Sequence, residues 1–235
     1  MTALEPEMVL IPAGPAILGV PERPPDFSRY HRWRGPRKVF VPAFQIGKYA
    51  ITRAEYEAFL NVTAHEPPAD WDDPGLANPR QPACGVSWQD ADDYCRWLSS
   101  ATSIPYRLPS ADEREMAARG GLVGKRFPWG DEDPKGHCCS GRPESAAPDP
   151  VGSYPPNDYG LYDMAGNVWE WLNDFYVDVA PDEPVNTRTG RPARENRVLV
   201  GASYLTQGSD ALWVAYRYED PPDYRCRCVG FRVAV

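Results

Sequence analysis

The residues in this chain that could do chemistry are few and oddly placed. Six cysteines stand at 84, 95, 138, 139, 226 and 228. None forms a CxxC, and the pairs 138/139 and 226/228 are adjacent or one residue apart, too close for ordinary staples. Reduced thiols are therefore expected, with a Cys84–Cys95 bridge left open. On a strand Cys226 and Cys228 would share a face, which makes a two-thiolate site for a soft metal conceivable. His137-Cys138-Cys139 places three ligating side chains in a row, but adjacent residues rarely converge on one ion. His31 and His65 stand alone in loops and read as surface histidines. No zinc spacing, Gly-rich phosphate loop or Ser/His/Asp order appears.

The richest concentration of chemistry is the tail, Arg197 to Val235. Its apolar anchors are Val198 to Val200 and the period-2 run Val229, Phe231, Val233 and Val235. A third run, Leu212 to Tyr218, is aromatic and β-branched, and all three read as half-buried strands. Between them Tyr204, Thr206, Gln207, Ser209, Asp210, Tyr216, Tyr218, Glu219, Asp220, Tyr224, Cys226, Arg227 and Cys228 follow no core pattern. Tyrosine offers wide contact area with few rotors to freeze, and small polar residues adapt their hydrogen bonds, so this is the composition of a binding surface. An ordinary strand pair with polar loops fits the same composition.

The elements that must position these residues are short. Met8 to Val20 gives two strands split by Pro12-Ala13-Gly14-Pro15, and Lys38 to Ile46 alternates as one strand. Capping boxes at Thr52/Glu55 and Ser110/Glu113 start two helices, the second ending at Gly120-Gly121. Ser87 caps another, with Trp88, Ala91, Cys95 and Leu98 on one stripe. Pro21 to Arg37, the proline-rich stretch His65 to Cys84, Leu122 to Pro156 and Pro181 to Glu195 read as loops. With no internal repeat and no break in composition, residues 1–235 are expected to form a single domain. A fold of 235 residues buries about 70–75% of its unfolded surface, enough for a real core.

The net charge is −8 and no Lys/Arg block is present, so the electrostatic footprint of nucleic-acid binding is missing. No apolar stretch reaches the ~18 residues of a membrane span, and no basic n-region opens the chain. A cytoplasmic protein is expected. The 27 prolines are about twice the usual share, a stiffening of loops that fits a thermophilic source.

Several segments together resemble one family. They are MVLIPAG…LG (8–19), VPAFQIGKYAITRAEYEAF (41–59), GVSWQDADDYCRWLS (85–99), RLPSADEREMAARGG (107–121), FPWGDE (127–132), GLYDMAGNVWEW (160–171) and the final VGFRVA. In order and spacing they are similar to the formylglycine-generating, sulfatase-modifying family. That resemblance implies an α+β, C-type lectin-like fold with few short helices and strands and long loops. Three positions depart from the family pattern: Ser110 for the usual Thr, Arg114 for the usual Trp, and Ala202 in the Gly-Gly-Ser strand motif.

The resemblance also speaks to chemistry. Oxidase members hold copper on two C-terminal cysteines five residues apart. Matched through the Gly-x-Ser-Tyr strand, those positions fall here on Thr206 and Ala211, neither of which ligates a soft metal. The sulfoxide-synthase branch needs a histidine-built iron site, and this chain has three scattered histidines. Neither copper nor iron is expected. Asp163-x-x-Gly166-x-Val168-x-Glu170 matches the family's calcium loop, with carboxylates from Asp163 and Glu170 and carbonyls from Gly166 and Val168. A turn in which Glu170 merely pairs locally fits the same residues. The second family calcium site, around Lys135 to Arg142, lacks its matching Asn and is not carried over.

One branch of the group, the variable proteins of diversity-generating retroelements, diversifies a C-terminal segment by adenine-directed mutagenesis. This chain resembles that pattern over 197–235. Gly201, Ser203, Arg217, Pro222, Asp223, Arg225, Gly230, Phe231 and Arg232 read as scaffold. Thr206, Ser209, Asp210, Leu212, Tyr216, Tyr218, Asp220, Tyr224, Cys226, Arg227 and Cys228 are all reachable from an AAC codon by changing its adenines; Gln207, Trp213 and Glu219 are not. Tyr204 joins them as a candidate contact. The expectation is a non-catalytic, ligand-binding display protein for a protein or other macromolecule, with Tyr216, Tyr218 and Tyr224 as anchors and Arg227 as a charged contact. The alternative is an oxidase of the formylglycine-generating type or another metal-dependent oxygenase of that family.

Overall fold

The computed structural model describes residues 4–21, 35–176 and 195–235. Helix starts follow the caps. Thr52 accepts from the Glu55 amide while the Glu55 carboxylate accepts from the Thr52 amide, and α1 runs Arg53–Thr63. Ser87 with Asp90 opens α2, Trp88–Thr102, and Ser110 with Glu113 opens α3, Ala111–Arg119. Each box satisfies two amides that have no acceptor inside the helix. The chain leaves α3 through left-handed Gly120, where a Cβ would meet the Asp158 amide nitrogen at 3.0 Å.

The strands are short, as expected, but differ in two places. The stretch from Lys38 to Ile46 is two strands, β3 (Arg37–Val41) and β4 (Phe44–Gly47), because Pro42 has no amide to continue a ladder. They pair antiparallel with β2 (Gly14–Leu18) and β1 (Met8–Ile11) respectively. The main sheet has four strands in the order β7-β6-β5-β8. Here β5 is Trp169–Phe175, β6 is Arg197–Val200, β7 is Tyr218–Asp220 and β8 is Val229–Phe231. β5 runs antiparallel to β6 and parallel to β8.

The second difference is Leu212 to Tyr218. It is a 3-10 turn (Asp210–Leu212) followed by bends, and only Tyr218 enters a strand. Its amides bond locally or to a loop: Tyr216 to the Trp213 carbonyl, Val214 to that of Arg126. The aromatic content that suggested a strand is used instead to bury Leu212, Trp213 and Tyr216 beside Phe127 and Ala165. Strand propensity largely measures such burial rather than a backbone preference.

Tyr56 and Phe59 from α1, Tyr94 from α2 and Phe231 from β8 interlock in the largest core, with ring centroids 5.3 to 6.3 Å apart along that set. The expected stripe Trp88, Ala91, Cys95 and Leu98 is buried there. The tail closes the molecule: Val235 and Gln45 exchange backbone hydrogen bonds, as do Ala234 and Arg107. The loops expected at Pro21–Arg37 and Pro181–Glu195 fall largely, and His31 wholly, outside the described residues. Among the described residues no helix is long and apolar enough to cross a membrane.

Candidate functional site

Two regions carry the candidate chemistry, the tail and the Asp163–Glu170 loop beneath it. In the tail the expected contacts divide by burial. Tyr204, Leu212, Tyr216 and Asp220 are buried, which corrects the expectation that they face outward. Tyr204 lies inside with its hydroxyl within 3.2 Å of Arg227 Nε, and its amide donates to the Asn167 carbonyl. Leu212 and Tyr216 belong to the Phe127 core, and burial drives the Tyr216 phenol far above its ordinary value. Asp220 ends β7 opposite Arg197 of β6, facing inward. Tyr216 therefore cannot serve as an open anchor.

Thr206, Ser209, Asp210, Tyr218, Tyr224, Cys226, Arg227 and Cys228 are half-exposed. Tyr218, Tyr224 and both cysteines rest on the core of α1 and α2. Arg227 reaches Asp73 at 3.4 Å as well as Tyr204, tying the tail to the proline-rich loop. Thr206 and Ala211, the positions matched to the oxidase cysteines, are spoken for structurally. The Thr206 hydroxyl accepts from the Ser203 amide at 3.0 Å, and Ala211 lies in the 3-10 turn. Trp169 was not singled out by sequence, yet its ring lies 5.6 Å from Tyr218 and 5.9 Å from Tyr216. The aromatic density of 160–174 was the available signal.

Cysteine pairing also differs from expectation. Cys226 and Cys228 form a disulfide, so the tail thiols are not reduced and offer no two-thiolate site. Spacing in sequence had argued against this, but a turn closed by the Val229 amide on the Cys226 carbonyl brings the two Cα atoms to 5.2 Å. Cys84, Cys95, Cys138 and Cys139 are free and buried, with no Cys84–Cys95 bridge. Burial pushes the Cys84 and Cys139 thiols up to about 12, so neither is a ready thiolate. His137 stacks on Trp129 at 5.0 Å instead of joining Cys138 and Cys139. His65 is not a free surface residue: its Nε2 lies 2.9 Å from buried Asp90. Among the described residues no three His, Cys, Asp or Glu side chains gather as a metal site.

In the region below, Glu170 is buried at the middle of the sheet and held by two guanidiniums. Its Oε2 accepts from Arg114 Nε at 2.7 Å and Arg232 Nε at 2.8 Å, and its Oε1 from Arg232 Nη2 at 2.7 Å. Burial alone would raise this carboxyl, but the charges of Arg114 and Arg232 overcome it and hold Glu170 at about 2. Asp163, at a left-handed φ of 55°, accepts from the Gly152 amide at 2.9 Å. Burial raises it to about 6, against the pull of that amide and of Arg232. Gly166 must be glycine, since a Cβ there would sit 2.5 Å from the Cys139 carbonyl oxygen. A calcium ion needs six to eight oxygens at 2.3–2.6 Å. Glu170, with both oxygens taken by guanidiniums, does not fit as one of its ligands.

Known proteins share this fold. The sulfatase-modifying factor enzyme 1-like domain model matches residues 2–235. The formylglycine-generating enzyme of Thermomonospora curvata is 32% identical, over 97% of this chain and 92% of that enzyme. A Mus musculus protein called inactive C-alpha-formylglycine-generating enzyme 2 is 28% identical over 99% of this chain and 86% of its own length. Among solved structures, PvdO from Pseudomonas aeruginosa superposes with a TM-score of 0.77 at 30% identity, covering 97% of this chain and 94% of that one. Treponema denticola variable protein 1 gives 0.76 at 25% identity with the same coverage. The architecture is thus the α+β, lectin-like fold of formylglycine-generating enzymes. The chain belongs to the sulfatase-modifying factor enzyme 1-like family.

Proposed function

We propose that this chain is a non-catalytic binding protein whose segment 197–235 presents a diversified face to a protein or other macromolecular partner. The observation that carries this reading is Thr206. Matched through the Gly-x-Ser-Tyr strand, it falls where the resemblance implies a copper cysteine, and its hydroxyl accepts from the Ser203 amide. The likeness to Treponema denticola variable protein 1 across 97% of the chain supports the display role. The inactive mouse relative shows that the family includes proteins named as non-enzymes. Thr206, Ser209, Asp210, Tyr218, Tyr224, Cys226, Arg227 and Cys228 form the proposed face, with Tyr218 and Tyr224 as its aromatic anchors.

Sequencing the same gene from sister isolates tests this directly. Differences are expected almost wholly at those positions, beside a reverse transcriptase and a near-copy of the 3′ coding end; substitutions spread evenly over the chain defeat it. The rival, an oxidase, draws on the relatives named formylglycine-generating enzyme. Copper titration with oxygen uptake on a cysteine peptide separates the two, because robust turnover establishes the rival.

A further inference from the structure

Arg114 is a costly residue in its position. It is 2% exposed on the inner face of α3, among Ala111, Ala117 and Ala118. A guanidinium so far from water is tolerated only when its charge and donors are met. They are met by one loop: Nε donates to Glu170 and Nη2 to the Met164 carbonyl at 3.0 Å. Gly201 forms the opposite wall, at a φ of 90°. A Cβ there would lie 3.3 Å from Arg114 Nη2, 3.7 Å from the Met164 oxygen and 3.9 Å from the Val168 oxygen. The guanidinium therefore points into the small gap that the Met164 and Val168 carbonyls, Gly201 and Glu170 border together.

The charges agree with the geometry. Glu170 already faces two guanidiniums, Arg114 and Arg232, at 2.7 Å each. Glu115 and Arg217, which line the same gap, pair with each other at 3.5 Å, and Glu115 pairs with Arg119 at 2.7 Å. A dication placed in the gap would meet the two fixed positive charges of Arg114 and Arg232 beside the one carboxylate they share.

We infer that Arg114 is a tethered cation standing where a divalent ion would otherwise sit, so that the 163–170 loop is fastened without calcium. Its planar fork and permanent charge suit this role better than a lysine would. The replacement leaves the loop's stability independent of metal supply.

Thermal unfolding of the whole chain in EDTA and in millimolar calcium, for the wild type, Arg114→Gln and Arg114→Trp, tests the inference. The wild-type midpoint should be the same in both buffers. At least one variant should melt lower in EDTA and regain about 5 °C or more with saturating calcium, the shift that a ligand at about a hundred times its Kd gives a chain of this size. Calcium-dependent stabilisation of the wild type overturns the inference, and so do folded variants that ignore calcium. If neither variant folds, the wild-type comparison and a calcium-binding titration on it still decide.

Discussion

The charged loop under the sheet and the tail above it are made of similar residue types, arginines and acids among aromatics, yet they obey opposite rules. Around Glu170 the charged groups are met inside the protein: three N–H groups on one carboxylate, a backbone carbonyl on Arg114, and the Gly47 and Tyr162 carbonyls on Arg232. Such a network specifies one arrangement and penalises any loss, since each deletion strands a buried charge. Around Arg227 the contacts are longer, at 3.2 to 3.4 Å, and the side chains half-exposed. Water can replace them cheaply. The interior is fixed by its pairing, and the rim is where the proposed binding face lies.

Substitutions sharpen that contrast, from the interior outward. Arg232→Met removes the guanidinium that holds both Glu170 oxygens. It should cost about 3–5 kcal/mol in denaturant unfolding, and a loss below about 1 kcal/mol would refute the over-determined interior. pH reports the same network. Glu170 is depressed from 4.5 to about 2, so its stabilisation is complete above pH 4.5 and is lost as pH falls toward 2.

Asp163 has the opposite sign. Raised from 3.8 to about 6, it contributes stability that is full below pH 3.8 and disappears as pH climbs through 6. Asp163→Asn keeps an oxygen for the Gly152 amide and removes the buried charge. It should gain about 3 kcal/mol at pH 7.5 and nothing at pH 3.5, measured by urea unfolding at both values.

Arg197 lies between the two regions, its guanidinium 3.8 Å from the Trp88 ring and 3.6 Å from that of Phe175. Arg197→Ala should cost about 1–2 kcal/mol at the thermal midpoint, with little dependence on salt because the contact is to ring faces. At the rim, Tyr224→Ser and Arg227→Ser should each change unfolding free energy by less than about 1 kcal/mol. Larger losses there would show that the tail is structural rather than displayed.

Much of this was legible in the chain itself. Capping boxes named the starts of α1 and α3, a lone serine that of α2, and the alternation of Val229, Phe231 and Val233 named β8 with its continuation, because these signals act over three or four residues. The departure at Arg114 was visible as an exception without a meaning. What could not be read was which side chains of Leu212–Tyr218 turn inward, since an aromatic run satisfies a strand and a buried turn equally well.

The sequence by itself determined where helices begin and which family frame the chain adopts, properties of neighbours along the backbone. The tertiary structure decided that Tyr204 and Tyr216 are core, that Cys226 and Cys228 join, and that Arg114 meets Glu170 across 56 residues. Burial and charge pairing depend on what packs from distant segments, and no local spacing encodes that.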